Sequence, residues 1–128
     1  MREFDFLPLK SNSNIREGNA LRMDWGEVLP AERCSYVIGN PPFLGARNQS
    51  KEQKEDLVEV FHGAKNCGNV DYVAGWYMKA AEYVGPFPVR SAFVSTNSIC
   101  QGEQVANIWK PISDLGVHID FAHGTFRW

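Results

Sequence analysis

The residues best placed to do chemistry are Asn40-Pro41-Pro42-Phe43, which follow the short apolar run Tyr36-Val37-Ile38 and Gly39. An amino nitrogen attached to an aromatic ring, such as that of adenine, is a poor nucleophile because its lone pair is delocalised. A carboxamide oxygen and a free backbone carbonyl can accept its two hydrogens, draw the lone pair out of the ring and aim it at a methyl donor. Asn40 and the carbonyl of Pro41 offer those two acceptors. Phe43 adds a flat face on which an extruded base can stack, worth about 1–3 kcal/mol. Pro41 and Pro42 have fixed φ and no N–H, so the chain must leave the sheet here as a stiff, extended segment. An ordinary turn after a strand uses the same residue types, and four residues recur by chance in unrelated proteins.

The elements that must hold this corner can be read along the chain. Tyr36, Val37 and Ile38 read as a strand covered on both faces, as in an α/β protein. Ser50 and Gln53 form a capping-box start to a helix with Leu57, Val58 and Phe61 on its apolar face. Lys51, Glu52, Lys54, Glu55, Asp56 and Glu59 read as its solvated side. Asp71 is the expected N-cap of a second helix, whose stripe is Val73, Trp76, Tyr77, Ala80, Ala81 and Val84, with Gly85-Pro86 as the stop. Trp76 reads as core. Ser91 to Thr96 is a second buried-type strand, followed by Asn97-Ser98. A third helix is expected from Glu103 to Lys110, with Val105, Ile108 and Trp109 inward and Pro111 ending it. The alternation from Val117 to His123 suits a half-exposed strand. Strand alternating with helix predicts parallel pairing, with ligand groups at the carboxyl ends of the strands, where Asn40 and Asn97 lie.

Composition narrows the function classes. Thirteen Lys and Arg against 15 Asp and Glu leave a net charge of -2, so no overall basic field attracts nucleic acid. Cys34, Cys67 and Cys100 have no metal-ligand spacing and read as reduced thiols. His62, His118 and His123 lack ligand partners in sequence, so no metal is expected. No run approaches a membrane span and no signal-peptide pattern is present, so a soluble, cytoplasmic protein is expected.

Asn-Pro-Pro-Phe resembles the catalytic motif of amino-group methyltransferases that use S-adenosylmethionine, most closely the adenine-specific (N6) DNA enzymes of type II restriction-modification systems. Gly18-Asn19-Ala20-Leu21 looks like the turn that ends the preceding strand in that family, and Phe93-Val94-Ser95-Thr96-Asn97-Ser98-Ile99 is similar to the strand that follows the catalytic one. The resemblance implies a partial Rossmann-like fold, three-layered with a mostly parallel sheet. It implies catalytic roles for Asn40, Pro41, Pro42 and Phe43, and cofactor contacts from Asn19, Ala20 and Asp71. Asn19 stands where the family has an acidic residue, and a plain Gly-Asn turn fits the same residues. Gly45, Arg47 and Asn48 could touch DNA phosphate or close over the base, although surface solubility also accounts for Arg47. Thr125-Phe126-Arg127-Trp128 lies where the family approaches another target-base motif. Related enzymes that methylate a protein glutamine or an RNA guanine share Asn-Pro-Pro followed by an aromatic residue, so they remain alternatives.

Two parts of the family pattern are absent. No Gly-rich cofactor turn or acidic ribose ligand occurs in residues 1–34, and no recognition region follows Trp128. The resemblance therefore implies an internal fragment, with a lead-in and cofactor-side strand in 1–34 and the catalytic-motif half in 35–128. DNA would be met through the full-length protein, whose other regions would supply the missing cofactor-binding and target-recognition parts. The Tyr36 strand should expose an edge. Rearrangement of the first 34 residues, a homodimer by strand exchange, a partner supplying the missing strands, or a non-catalytic association module are the outcomes open to such a piece.

Overall fold

Gly39 hands the chain from a parallel strand pair to the two prolines, and the helices that follow bury the core. The computed structural model describes residues 14–125 and 127. The lead-in over 1–13, and Phe126 and Trp128 of the expected target-base stretch, lie outside the described residues. Asp24 caps α1 (Trp25–Val28) by accepting the Gly26 N–H at 2.8 Å. Strand β1 (Tyr36–Gly39) pairs in parallel with β2 (Arg90–Phe93), Tyr36 opposite Arg90 and Gly39 opposite Phe93. One further bond runs from Val94 N–H to the Gly39 carbonyl at 3.1 Å. There the prolines end the ladder.

Between the strands lie α2 (Lys51–Val60) and α3 (Ala74–Val84). The expected capping box is present: Ser50 Oγ accepts the Gln53 N–H at 3.2 Å and Gln53 Oε1 accepts the Ser50 N–H at 2.8 Å. Helix α3 packs on α2, on β2 and on α4 (Lys110–Asp114), and it stops at Gly85, whose φ of +47° suits a residue without a Cβ. Leu57, Val70, Val73 and Ile108 are fully buried, and Leu21, Phe61, Met78, Ile99 and Ile112 pack in the same cluster. The core is helical. Neither strand contributes to it.

That distribution corrects several expectations. Tyr36 and Ile38 are 71% and 79% exposed, and Arg90, Ser91 and Ala92 are also exposed, so the strands are not covered on both faces. Residues 14–34 form turns and α1 and no strand, which leaves the outer edge of β1 unpaired among the described residues. On α2, Val58 is exposed while Val60 is buried, and Asp56 is buried instead of solvated. Gln53, Asp56, Leu57 and Val60 share one helical face, and that face is the one α3 covers. Asp71 is not the N-cap of α3. It stands two residues before Val73, which occupies the cap without a side-chain bond of its own and donates its N–H to Asp71 Oδ1 at 3.1 Å.

The third helix passes through Pro111. Its first part, Val105–Trp109, is wound as a π turn, and Pro111 is the second residue of α4, directly after that wider turn. Ile108 is buried and Trp109 half-buried, but Val105 is exposed. Residues 117–125 take no regular structure, and Ile119 and Phe121 are exposed, since no neighbouring strand is there to pair with them among the described residues. The α/β class holds for this piece, reduced to two parallel strands with helices.

Gly75 lies where α3 passes close to Leu21 and to Leu57 of α2. A Cβ there would lie 2.9 Å from Leu21 Cδ1 and 3.2 Å from Leu57 Cδ2. Gly75→Ala should therefore lower stability by about 1–2 kcal/mol, because overpacking outweighs the gain of about 1 kcal/mol in helix propensity. Urea unfolding checks this; an equal or higher midpoint would show that the contact relaxes freely.

Candidate active site

Residues at the end of β1 open onto a cleft of about 380 Å³. Gly39, Asn40, Pro41 and Pro42 form one part of its wall, and Ala20, Trp25, Trp76 and Phe93 form another. Among the described residues no charged side chain lines it. Asn40 is exposed, and its amide makes no hydrogen bond among the described residues, so both polar atoms are free for a ligand. Pro41 is buried and anchors the corner, whereas Pro42 and Phe43 are exposed, Phe43 by 47%. Phe43 does not wall this cleft.

Leu44, the first residue after the corner, is gripped on both sides of its backbone. Its N–H donates to Asp71 Oδ1 at 3.2 Å. Its carbonyl accepts the Tyr72 N–H and Gln49 Nε2, each at 2.9 Å. Gln49 Nε2 also donates to the Val70 carbonyl at 2.9 Å, while its buried Oε1 has no partner among the described residues. Leaving such an oxygen unpaired costs about 1–3 kcal/mol. Asp71 is only 4% exposed. Its carboxylate also accepts from Val73 N–H at 3.1 Å and Ser98 Oγ at 3.4 Å, and its own N–H donates to Gln104 Oε1 at 2.9 Å.

The Gly18-Asn19-Ala20-Leu21 turn reaches the cleft through Ala20. Asn19 Oδ1 accepts the Leu21 N–H at 3.0 Å and Nδ2 donates to Asp56 Oδ2 at 3.1 Å, so this amide works within the fold. Trp25 Nε1 donates to the Ala20 carbonyl at 2.8 Å and fixes the indole beside it. Asp56 gathers three donors: Asn19, Arg22 Nε at 2.6 Å and Tyr72 OH at 2.7 Å. Burial pushes the Asp56 carboxyl up, but the hydrogen bonds from Arg22, Tyr72 and Asn19, with the charge of Arg22, outweigh it and hold the group below its ordinary value. Burial and the bond to Asp56 push the Tyr72 phenol up to about 12.

The structure thus brings Ala20 together with Asn40, Pro41 and Pro42 in one cleft. Asp71 sits behind the corner, and the Asn19 side chain faces Asp56. Arg47 and Asn48 are exposed in the 3-10 turn Ala46–Asn48 that follows Gly45, and Asn97 is exposed at the start of another, Asn97–Cys100. His62 pairs with Glu82 and His118 with Asp120, both at the surface. Among the described residues no group of three His, Cys, Asp or Glu could hold a metal. No helix among them is long and apolar enough to cross a membrane. Sequence reasoning missed Trp25, Gln49 and Asp56. For Asp56 the signal was available, in its spacing with Leu57 and Val60.

The Asp56 cluster should make stability sensitive to acid. A carboxyl held below its unfolded value of about 3.9 contributes stability that is fully present above that pH and is lost as pH falls through the lowered folded value. Urea midpoints of the wild-type chain should therefore decline on acidification below about pH 4, and Asp56→Asn should flatten that decline while lowering stability at pH 7 by about 2 kcal/mol. Parallel acid profiles for the two would show that the cluster carries no such linkage.

The family model described as MmeI, DNA-methyltransferase domain, matches residues 1–128. The chain is 43% identical over 124 residues to "DNA methyltransferase A" of Bacillus subtilis (strain 168), a match that covers 95% of this chain and 14% of that protein. It also superposes with a TM-score of 0.90, at 48% identity, on a solved structure of the type IIL restriction-modification enzyme MmeI in complex with DNA, covering 99% of this chain and 17% of that one. The chain spans less than a fifth of the length of either relative. With the family pattern matched from Met1 to Trp128 and the Asn-Pro-Pro-Phe corner open to a cleft, the chain belongs to the MmeI DNA-methyltransferase domain family.

Proposed function

We propose that this chain is the catalytic-motif part of a longer enzyme that transfers a methyl group from S-adenosylmethionine to the 6-amino group of adenine in DNA, in cytoplasmic restriction-modification. The observation that carries the reading is the shared cleft: Ala20, from the cofactor-side turn, and Asn40, Pro41 and Pro42, from the catalytic corner, line the same space. In this reading the β1–β2 pair is part of a larger, mostly parallel, three-layered Rossmann-like sheet. The unpaired edge of β1 is where strands from the rest of the polypeptide continue it, and strand exchange between copies is the alternative for the isolated chain.

The cleft suits part of the cofactor. Its walls include two indoles and an aliphatic β1 face, which match a purine ring and a sulfonium, and a cation over an aromatic face is favoured by about 0.5–2 kcal/mol. With no charged group in the lining among the described residues, the amino-acid end of the cofactor is held by groups outside them. Bound there, the cofactor supplies an electrophilic methyl carbon. The chain's own residues handle the amine. Asn40 Oδ1 and the Pro41 carbonyl accept its two hydrogens, Phe43 stacks on the extruded base, and the prolines keep both acceptors in a fixed relation. Ala20 and Trp25 border the cofactor side, with Asn19 holding that turn. Arg47 and Asn48 follow the corner on an exposed turn, from which they reach phosphate.

In the full-length protein, Asn40→Ala should lower DNA adenine methylation by at least about 100-fold with thermal stability unchanged, because the exposed amide makes no internal bond. Tritium incorporation from labelled cofactor measures this, and retained activity would remove Asn40 from the mechanism. The isolated 128-residue chain should show no calorimetric binding of S-adenosylmethionine at micromolar concentration. Tight binding would mean that the cofactor's charged end is met within this piece.

A further inference from the structure

Two buried polar side chains, Asp71 and Gln49, meet on the backbone of one residue, Leu44, whose N–H and carbonyl they bond on its two flanking peptide units. Each prolyl residue lacks an N–H, so the corner itself cannot be held by donors of its own. Its entry is fixed by the β1–β2 ladder up to Gly39, and among the described residues its exit is fixed at Leu44. Asp71 is 4% exposed, with both carboxylate oxygens engaged by Leu44, Val73 and Ser98. Gln49 is 8% exposed and keeps an unpartnered oxygen, so its use lies in the donors aimed at Leu44 and Val70; a side chain needed only to fill space would carry no orphaned polar atom.

We propose that Asp71 and Gln49 are positioning residues for the methyl transfer: holding the N–H and the carbonyl of Leu44, they set the direction of the Asn40–Phe43 corner and touch neither cofactor nor base. This rests on the reading of Asn40 as the residue that presents the amine. Asp71 also ties the corner to Ser98, beyond β2, and through its own N–H to Gln104, so the loops after both strands share one anchor. A corner released at Leu44 keeps its cleft and its binding groups but loses the alignment of the two acceptors, a displacement that costs rate and spares affinity.

The test uses the full-length protein that carries this chain, with Asp71→Ala, Asp71→Asn and Gln49→Met. Asp71→Ala and Gln49→Met should lower kcat for DNA methylation by about 30- to 100-fold, with Kd for S-adenosylmethionine and for DNA within about threefold of wild type. Asp71→Asn keeps an oxygen for the Leu44 N–H and offers an N–H to Ser98, so it should recover kcat to within about fivefold. Hydrogen exchange over residues 43–49 should quicken by about tenfold in Asp71→Ala, but not in Asp71→Asn, with α2 unchanged. If Asp71→Ala fails to fold, Gln49→Met and Asp71→Asn decide. A loss that resides in cofactor Kd with kcat preserved would make Asp71 a cofactor contact and overturn the proposal. Exchange over residues 43–49 that stays at the wild-type rate in Asp71→Ala, in an enzyme whose wild type methylates DNA, would overturn the clamp alone. Faster exchange in the variants of a wild type that does not methylate DNA would overturn the reading of Asn40, and the catalytic role of the clamp with it.

Discussion

A diproline segment has no amide hydrogens, so nothing can hold it from within by the bonds that hold other backbone. Its direction is set by the groups on either side. In this chain the preceding side is a parallel ladder that ends at Gly39, and the following side is the backbone of Leu44, bonded at both its N–H and its carbonyl. The exposed Asn40 and Phe43 are displayed between those two fixed points. Their freedom to meet a ligand and the rigidity of their backbone have the same origin.

The three residues Asp71-Tyr72-Val73 extend that constraint across the molecule. Asp71 takes the Leu44 N–H, Tyr72 gives its own N–H to the Leu44 carbonyl, and the Tyr72 phenol bonds Asp56. Asp56 in turn holds Asn19 and Arg22, and through them the turn that presents Ala20 to the cleft. One short segment therefore joins the Gly18–Leu21 turn to the diproline corner. Two buried carboxylates are tolerated because each is surrounded by donors, which offsets their desolvation.

Much of this was legible in the residues, for reasons that differ by element. The capping box at Ser50, the stop at Gly85 and the strand ending at Pro41 follow from local chemistry and appear as expected. The buried role of Asp56 was obscured because a charge among charges on α2 reads as solvated, although its helical position pairs it with Leu57. Pro111 misled because the π turn before it lets the chain continue. The strand expected over Val117 to His123 has the right alternation, but a strand needs a neighbour to bond, and sequence pattern alone does not supply one. The same dependence explains the uncovered faces of β1 and β2. Of the cleft wall, Asn40, Pro41 and Pro42 were singled out by type and order, whereas Phe43 lies outside it. Gln49 could not be singled out, since its role depends on a tertiary contact with Leu44.

The placement of the core in helices has a consequence for how the chain reaches its fold. Helices α2 and α3 meet through residues near in sequence, whereas the parallel pair joins residues in the thirties to residues in the nineties. Short-range contacts close cheaply and early, and distant strand pairing must wait for a long loop to be ordered. The helical pair can condense as a nucleus without the sheet, and the ladder that sets the entry to the corner forms afterwards. On a growing polypeptide, the diproline corner is then among the last features to be assembled, after the helices behind it are already in place.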